Sequence, residues 1–277
     1  MGMFSQYTKE GHGISKEQAN APAFIQFFRI LGTRFWSLIF LNLIYILFLS
    51  PGLISIGGSL FVYYNYRNII ILLGMILVGV LYLGIIGGPA TAGMVKILRN
   101  WSRREAAFIW GDFWETFKKN FKLAALVGGL NSLITSILLF NLYFYYINAN
   151  TETPIPALYF WVVVLTFIVF LFMNYYMFTM LVTFKLSVKQ LYKNAFIFAF
   201  AGIIRNIGIT AIIAAVCCLF ILFHSSPLVW VIYFCCFLGF IWYVITFITY
   251  PLIKKTMIDG IDPDTGKRIE QQCDKED

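Results

Sequence analysis

Few side chains in this sequence could do chemistry, and they fall into three groups. Cys217-Cys218 and Cys235-Cys236 flank a turn at His224-Ser225-Ser226-Pro227. At about 1.5 Å of rise per helical residue, one pair lies roughly 9 Å before His224 and the other about 12 Å beyond Pro227. Thiolates beside a histidine suit a soft metal, and two thiols could close a disulfide. Packing is the commoner use of small buried cysteines, and no metal or cofactor is expected. The second group is Gly87-Gly88-Pro89. A helix broken there would present free N–H groups to an anion or substrate, as broken helices do in transporters. Gly84, Gly88 and Ala92, four apart, also form a small-residue stripe suited to close packing, which is the favoured reading. The third group lies in 101–122. Trp110, Phe113, Trp114, Phe117 and Phe121 share one helical face, while Asp112, Glu115, Lys118, Lys119 and Lys122 fall mostly opposite. Such a helix, over about 105–122, is expected to lie in the membrane plane with its rings at headgroup depth. With Trp101, Arg103 and Arg104 it offers a surface for a partner. No HExxH, phosphate loop or serine elbow is present, and no charged residue sits well inside an apolar run, so an enzyme is not expected. Asn42, Asn131, Asn141 and Asn174 are read as bonding between helices.

These groups need elements to hold them, and composition says which kind. Apolar types make up 60% of the 277 residues and charged types only 12%, too few to cover a water-facing surface. The uncharged intervals run 35–66, 68–95, 123–151, 153–184 and 206–253. About 20 residues cross a hydrocarbon core of roughly 30 Å, so the first four hold one crossing each and the last holds two. The expected fold is therefore all-α, a polytopic bundle of about six spans near 35–56, 68–88, 123–147, 157–182, 205–223 and 228–253. Polar tails at 1–23 and 257–277 would flank a membrane domain at 24–256.

Of the 21 Lys and Arg, 20 fall in the N-terminal segment, two connections and the C-terminal tail, leaving Arg67 alone on the other side. Basic residues stay cytoplasmic, so both termini are expected inside. The first crossing would serve as an uncleaved insertion signal. The net charge of +8 is spread over four segments, which suits anionic lipid headgroups and does not suit nucleic acid. A weak repeat is also visible: an amphipathic or aromatic segment precedes the first, third and fifth crossings, with Arg34, Asn120 and Asn206 at corresponding places.

The stretches "GHGISK", "RFWSLIFLNLIYILFLSPG", "GGPATAGMVKILRNWSRREAAFIWGDFWETFKKNFK", "LVTFKLSVKQLYKNAFIFAFAGIIRN" and "PLIKKTMID" together resemble the YesL-like bacterial membrane proteins, over nearly the whole length. That family has no assigned activity. In its usual pattern the first crossing runs quickly into Gly-Pro-Ala-Thr-Ala, whereas here residues 56–86 intervene and supply a further crossing. The resemblance implies a bacterial inner-membrane protein linked to carbohydrate uptake, as an accessory or scaffold of transporter subunits. A transporter or channel in its own right, with a path near Gly87-Gly88-Pro89, is the alternative. Glu105-Ala106-Ala107 with Gly111 is similar to the start of the coupling loop of ATP-binding-cassette import permeases, but Phe121-Lys122-Leu123-Ala124 stands where that loop ends in Ile-x-Leu-Pro.

The basic asymmetry predicts that tags after Asn100 and at the C-terminus report cytoplasm, while tags near Asn150 and Ser225 react with an impermeant reagent added outside intact cells. Protection of the Asn150 tag would reverse the orientation.

Overall fold

The computed structural model describes residues 22–148 and 155–259, and among them the regular elements are all α-helices. They are α1 (Ala23–Thr33), α2 (Phe35–Tyr66), α3 (Ile69–Ile85), α4 (Gly87–Ser102), α5 (Ile109–Lys119), α6 (Phe121–Asn148), α7 (Ile155–Leu181), α8 (Val188–Ala201), α9 (Ile203–Phe223) and α10 (Pro227–Met257). The N-terminal stretch through Phe35 is a unit by itself, and the chain from Trp36 onward forms the bundle. Six helical runs are long and apolar enough to cross a membrane, with α3 and α4 counted as one run from Ile69 to Ser102. Outward side chains of these runs remain bare of protein; Ile70 is 78% exposed and Ile204 84%. Such a surface belongs against lipid, and the protein is a multi-pass membrane bundle.

The spans differ in length from the sequence expectation for local reasons. The first was expected to end near residue 56, yet α2 continues to Tyr66, about 48 Å of helix. Pro51 does not stop it. Proline cannot donate to the Leu47 carbonyl, and the Ser50 hydroxyl donates there instead, at 2.9 Å. Next to it Gly52 admits Tyr82 and Leu83 of α3. α3 itself has 17 residues, about 25 Å, short of a full core thickness until the first turns of α4 are added.

α4 is the centre of the bundle. Of its 16 residues, 14 are buried, Lys96 and Ser102 being the exceptions. It packs against α3, α5, α6, α7 and α10. It also meets α2, where the Tyr45 and Thr91 hydroxyls are 2.8 Å apart. Its first half, Gly87 to Gly93, is nearly all small residues, which makes a thin rod that other backbones can approach. A Cβ on Gly88 would strike the Ala124 carbonyl of α6, and one on Gly128 would strike the Gly84 carbonyl and the Gly88 Cα. The break at Ile86 is thus filled by α6, as the close-packing reading of the small-residue stripe expects, and the alternative of an open helix start that binds an anion does not fit. Pro89, two residues into the helix, needs no donor partner there.

In lipid there is no hydrophobic drive between helices, so packing and interhelical hydrogen bonds must hold them. Asn42 of α2 donates to the Phe234 carbonyl at 2.9 Å and accepts from the Gly239 amide of α10 at 2.7 Å. Asn131 of α6 donates to Asn174 Oδ1 of α7 at 2.8 Å and accepts from the Tyr192 hydroxyl of α8 at 2.5 Å. Burial pushes the Tyr192 phenol up to about 12, so this donor stays protonated. Its contribution is complete below pH 10 and is lost as pH rises through 12. Asn141, among the described residues, donates within its own helix, to the Ile137 carbonyl.

Three short helices each lead into a long one through a single residue. The breaks are Arg34 (φ −110°, ψ 14°), Asn120 (φ −101°, ψ 8°) and Gly202 (φ −103°, ψ 20°). The repeat read from the sequence is present in this form, but its third break is Gly202 and not Asn206. A Cβ at 202 would collide with the Tyr176 hydroxyl. Asn206, one turn on, accepts from that hydroxyl at 2.8 Å and donates to the Ala199 carbonyl at 2.9 Å. The four cysteines of α9 and α10 are free thiols. Cys236 lines an apolar cavity of about 450 Å³ with Phe220, Tyr233 and Phe237.

Substituting Gly88→Ala or Gly128→Ala forces a methyl group against main chain that cannot swing aside, at a cost of about 1–3 kcal/mol. Gly129 has nothing within 4 Å of its Cβ position, so Gly129→Ala leaves stability unchanged or raises it by about 0.5–1 kcal/mol. Heat unfolding of the purified variants in detergent checks the pair, and equal behaviour at 128 and 129 would refute the close crossing.

Candidate functional site

One end of the bundle carries two polar stripes that face each other. On α4 and its C-cap, Lys96, Arg99, Asn100 and Arg103 follow one another at i, i+3, i+4 and i+7, and on α5, Asp112, Glu115, Thr116 and Lys119 repeat that spacing. Residues Leu181 to Lys185, where α7 ends, supply a third wall. Together they enclose a polar cavity of about 500 Å³, lined by Lys96, Asn100, Thr116, Lys119, Thr183 and Lys185 among others.

The walls are set by helix ends. α4 terminates in a Schellman motif: the Glu105 amide donates to the Asn100 carbonyl at 2.8 Å and the Arg104 amide to the Trp101 carbonyl at 2.9 Å. The left-handed residue this motif requires is Arg104, with φ 61°, a place usually taken by glycine. Residues 105–108 are then non-helical, and α5 starts at Ile109, with the Phe108 amide held by the Asp112 carboxylate at 2.9 Å. α5 therefore covers Ile109–Lys119, shorter than the expected 105–122, because the Schellman turn consumes its start and the Asn120 break its end.

The other face of α5 is aromatic and wedged into the bundle. Phe113 sits on Gly93 of α4, whose missing side chain makes room for the ring. Phe113 and Phe117 both meet Phe48 of α2, with ring centres 5.5 and 5.1 Å apart. Trp110 and Trp114, stacked on each other, remain 52% and 37% exposed, and the Lys118 ammonium lies 4.9 Å from the centre of the Trp114 ring.

Behind the cavity lies Arg99, only 5% exposed. Its guanidinium donates to the Val182 carbonyl at 2.9 Å, to the Thr183 hydroxyl at 3.1 Å and to Asn100 Oδ1 at 3.3 Å. None of these oxygens is a carboxylate. The nearby Glu105 carboxylate is 2.7 Å from Arg103. Arg99 Nε has no partner among the described residues, nor does the buried Trp101 indole N–H. A cation buried without a counter-charge is costly, and the carbonyl at the α7 C-terminus offsets part of that cost.

Of the residues singled out from sequence, Arg103, Trp110, Trp114, Lys118 and Lys119 are exposed at this end and Arg104 is half-buried. Trp101, Phe113 and Phe117 are buried, which removes Trp101 from the partner surface and sets the two phenylalanines, on the aromatic face of α5, against neighbouring helices instead of at headgroup depth. Asp112 turns inward to the cavity and caps α5. Gly87, Gly88 and Pro89 lie in the α4 core. Sequence reasoning missed Lys96, Arg99, Asn100, Thr116, Thr183 and Lys185 as a group. The matching i, i+3, i+4, i+7 polar spacing on both helices was the signal available for two walls, whereas nothing in the chain order pointed to the third.

Residues 38–142 match the model of a family described as a protein of unknown function, DUF624. The match takes in most of α2, all of α3 to α5 and most of α6, hence the close crossing and two walls of the cavity. No curated protein and no solved structure matches the chain.

Removing the Arg99 fork by Arg99→Ala is expected to cost about 2–3 kcal/mol, and Thr183→Val about 1 kcal/mol. The double variant should cost less than their sum, since both remove one contact. Unfolding midpoints in detergent measure the coupling, and strict additivity would show that the two side chains act apart.

Proposed function

We propose that this protein is a non-enzymatic accessory or scaffold of a bacterial inner membrane that assists carbohydrate uptake by docking transporter subunits. In this reading the basic end, both termini included, faces the cytoplasm. The observation that carries it is the two-faced build of α5. Phe113 and Phe117 fix the helix to α2 and α4, while Trp110, Trp114 and Lys118 stand outward on a support that cannot shift. Aromatic rings beside basic groups are favoured where one protein meets another at a headgroup-level surface. The sequence resemblance to the YesL-like family supplies the link to sugar import. A match to a family of unknown function is compatible with that and adds no substrate.

The transporter reading draws less support. Its path was placed at Gly87-Gly88-Pro89, where α6 main chain fills the gap. Asn42, Asn131 and Asn206 each have donor and acceptor engaged by other protein groups.

Affinity capture from native membranes tests the docking surface. Trp110→Ala with Lys118→Glu, both exposed, should abolish co-purification of the partner at unchanged expression and unfolding midpoint. Exposed charges contribute only about 0–1 kcal/mol to folding, whereas like charges facing across an interface cost several. Lys119 stays intact because it lines the cavity. Recovery of every wild-type partner would return α5 to a plain membrane anchor.

A further inference from the structure

We infer that the cavity between α4, α5 and residues 181–185 is a binding site for a phosphate ester whose other end carries hydroxyl or ammonium donors. The inference is independent of the docking role. Three lysines from three different elements, Lys96, Lys119 and Lys185, converge on one space, and the buried Arg99 guanidinium stands one layer behind them. Every oxygen that accepts from Arg99 belongs to a residue of the cavity wall: Asn100, Val182 and Thr183. Its positive charge therefore meets that space through uncharged groups only. Lys96 is half-buried and makes no ion pair or hydrogen bond with the described residues.

The negative groups do not cancel this field. Asp112 is engaged in holding the Phe108 amide, and Glu115 is exposed. Two carboxylates against three ammoniums and a guanidinium leave an excess of positive charge with the Thr116 hydroxyl and the Asn120 side-chain amide nearby. An anion with several oxygens satisfies such a set, and phosphate offers three. The space, about 500 Å³, is larger than a bare phosphate needs and falls in the range of small-molecule sites. Asp112 and Glu115 can accept from the hydroxyl or ammonium groups of the remainder. Both the headgroup of an anionic or zwitterionic phospholipid and a soluble phosphate ester have this chemistry.

Full-length protein, delipidated in an uncharged detergent, is titrated with glycerol 3-phosphate by calorimetry. In parallel it is placed in nanodiscs of phosphatidylcholine with or without phosphatidylglycerol, and retained lipid is read by native mass spectrometry. Binding of glycerol 3-phosphate identifies a soluble ester as a sufficient ligand. Retention of phosphatidylglycerol without such binding identifies the headgroup. Either result supports the site if Lys96→Gln with Lys185→Gln weakens it by about tenfold or more, the loss expected for hydrogen bonds to charged groups. Lys122→Gln, which removes a basic charge outside the cavity lining, should leave it unchanged. Should Lys96→Gln impair folding, the exposed pair Lys119→Gln and Lys185→Gln replaces it, with the same expected loss. No binding in either arm, or equal binding by cavity variants and wild type, overturns the inference.

Discussion

The approach of the α3–α4 junction to α6 at Gly84, Gly88, Ala124 and Gly128 is the contact on which the rest of this structure depends. Lipid tails are as apolar as leucine side chains, so burying more leucine does not bring membrane helices together. Contact between backbones does, where side chains are absent. The N-terminal half of α4, from Gly87 to Gly93, carries nothing larger than Pro or Thr, and this lets six other helices reach one short rod. The second half, with Met94, Ile97, Leu98 and Trp101, then fills the space that those helices leave as they diverge.

Position of the polar end follows from that centre. Because α4 is held by its first half, its last turn is placed firmly enough for Arg99 to reach the end of α7, and the Schellman turn aims the chain back into α5. Gly93 receives Phe113, so α5 lies along α4 with its polar stripe turned toward Lys96 and Asn100. The cavity is thus a by-product of two helix ends and one loop meeting at fixed angles. Breaks of similar dihedral at Arg34, Asn120 and Gly202 suggest one recurring way of joining a short helix to a span, put to different use each time.

Much of this was legible from the amino acids. Apolar runs bounded by charge gave six spans, the four-residue spacing of Gly84, Gly88 and Ala92 gave a packing stripe, and the ring spacing in α5 gave an amphipathic helix. The centrality of α4 was hidden because its own sequence looks like a membrane edge. Lys96, Arg99, Arg103 and Arg104 mark the basic boundary of a span, and only tertiary contacts reveal that Arg99 is enclosed while Arg103 is not. Trp101 misled for the same reason, since a tryptophan beside arginines suits a headgroup layer and a crowded helix junction equally well. Asn206 was chosen over Gly202 by even spacing, whereas the collision with Tyr176 that demands a glycine lies outside local sequence.

The central claim, that α4 is enclosed on all sides, is tested most directly by placing single cysteines from residue 94 to 103 in a background with the native cysteines replaced, and treating the folded protein with a water-soluble maleimide. Enclosure predicts labelling at 96, 102 and 103, and silence at 97, 98 and 99 until the protein is unfolded. A helix lying at the membrane surface would label along the whole stripe 96, 99, 100 and 103, and that pattern would contradict the account.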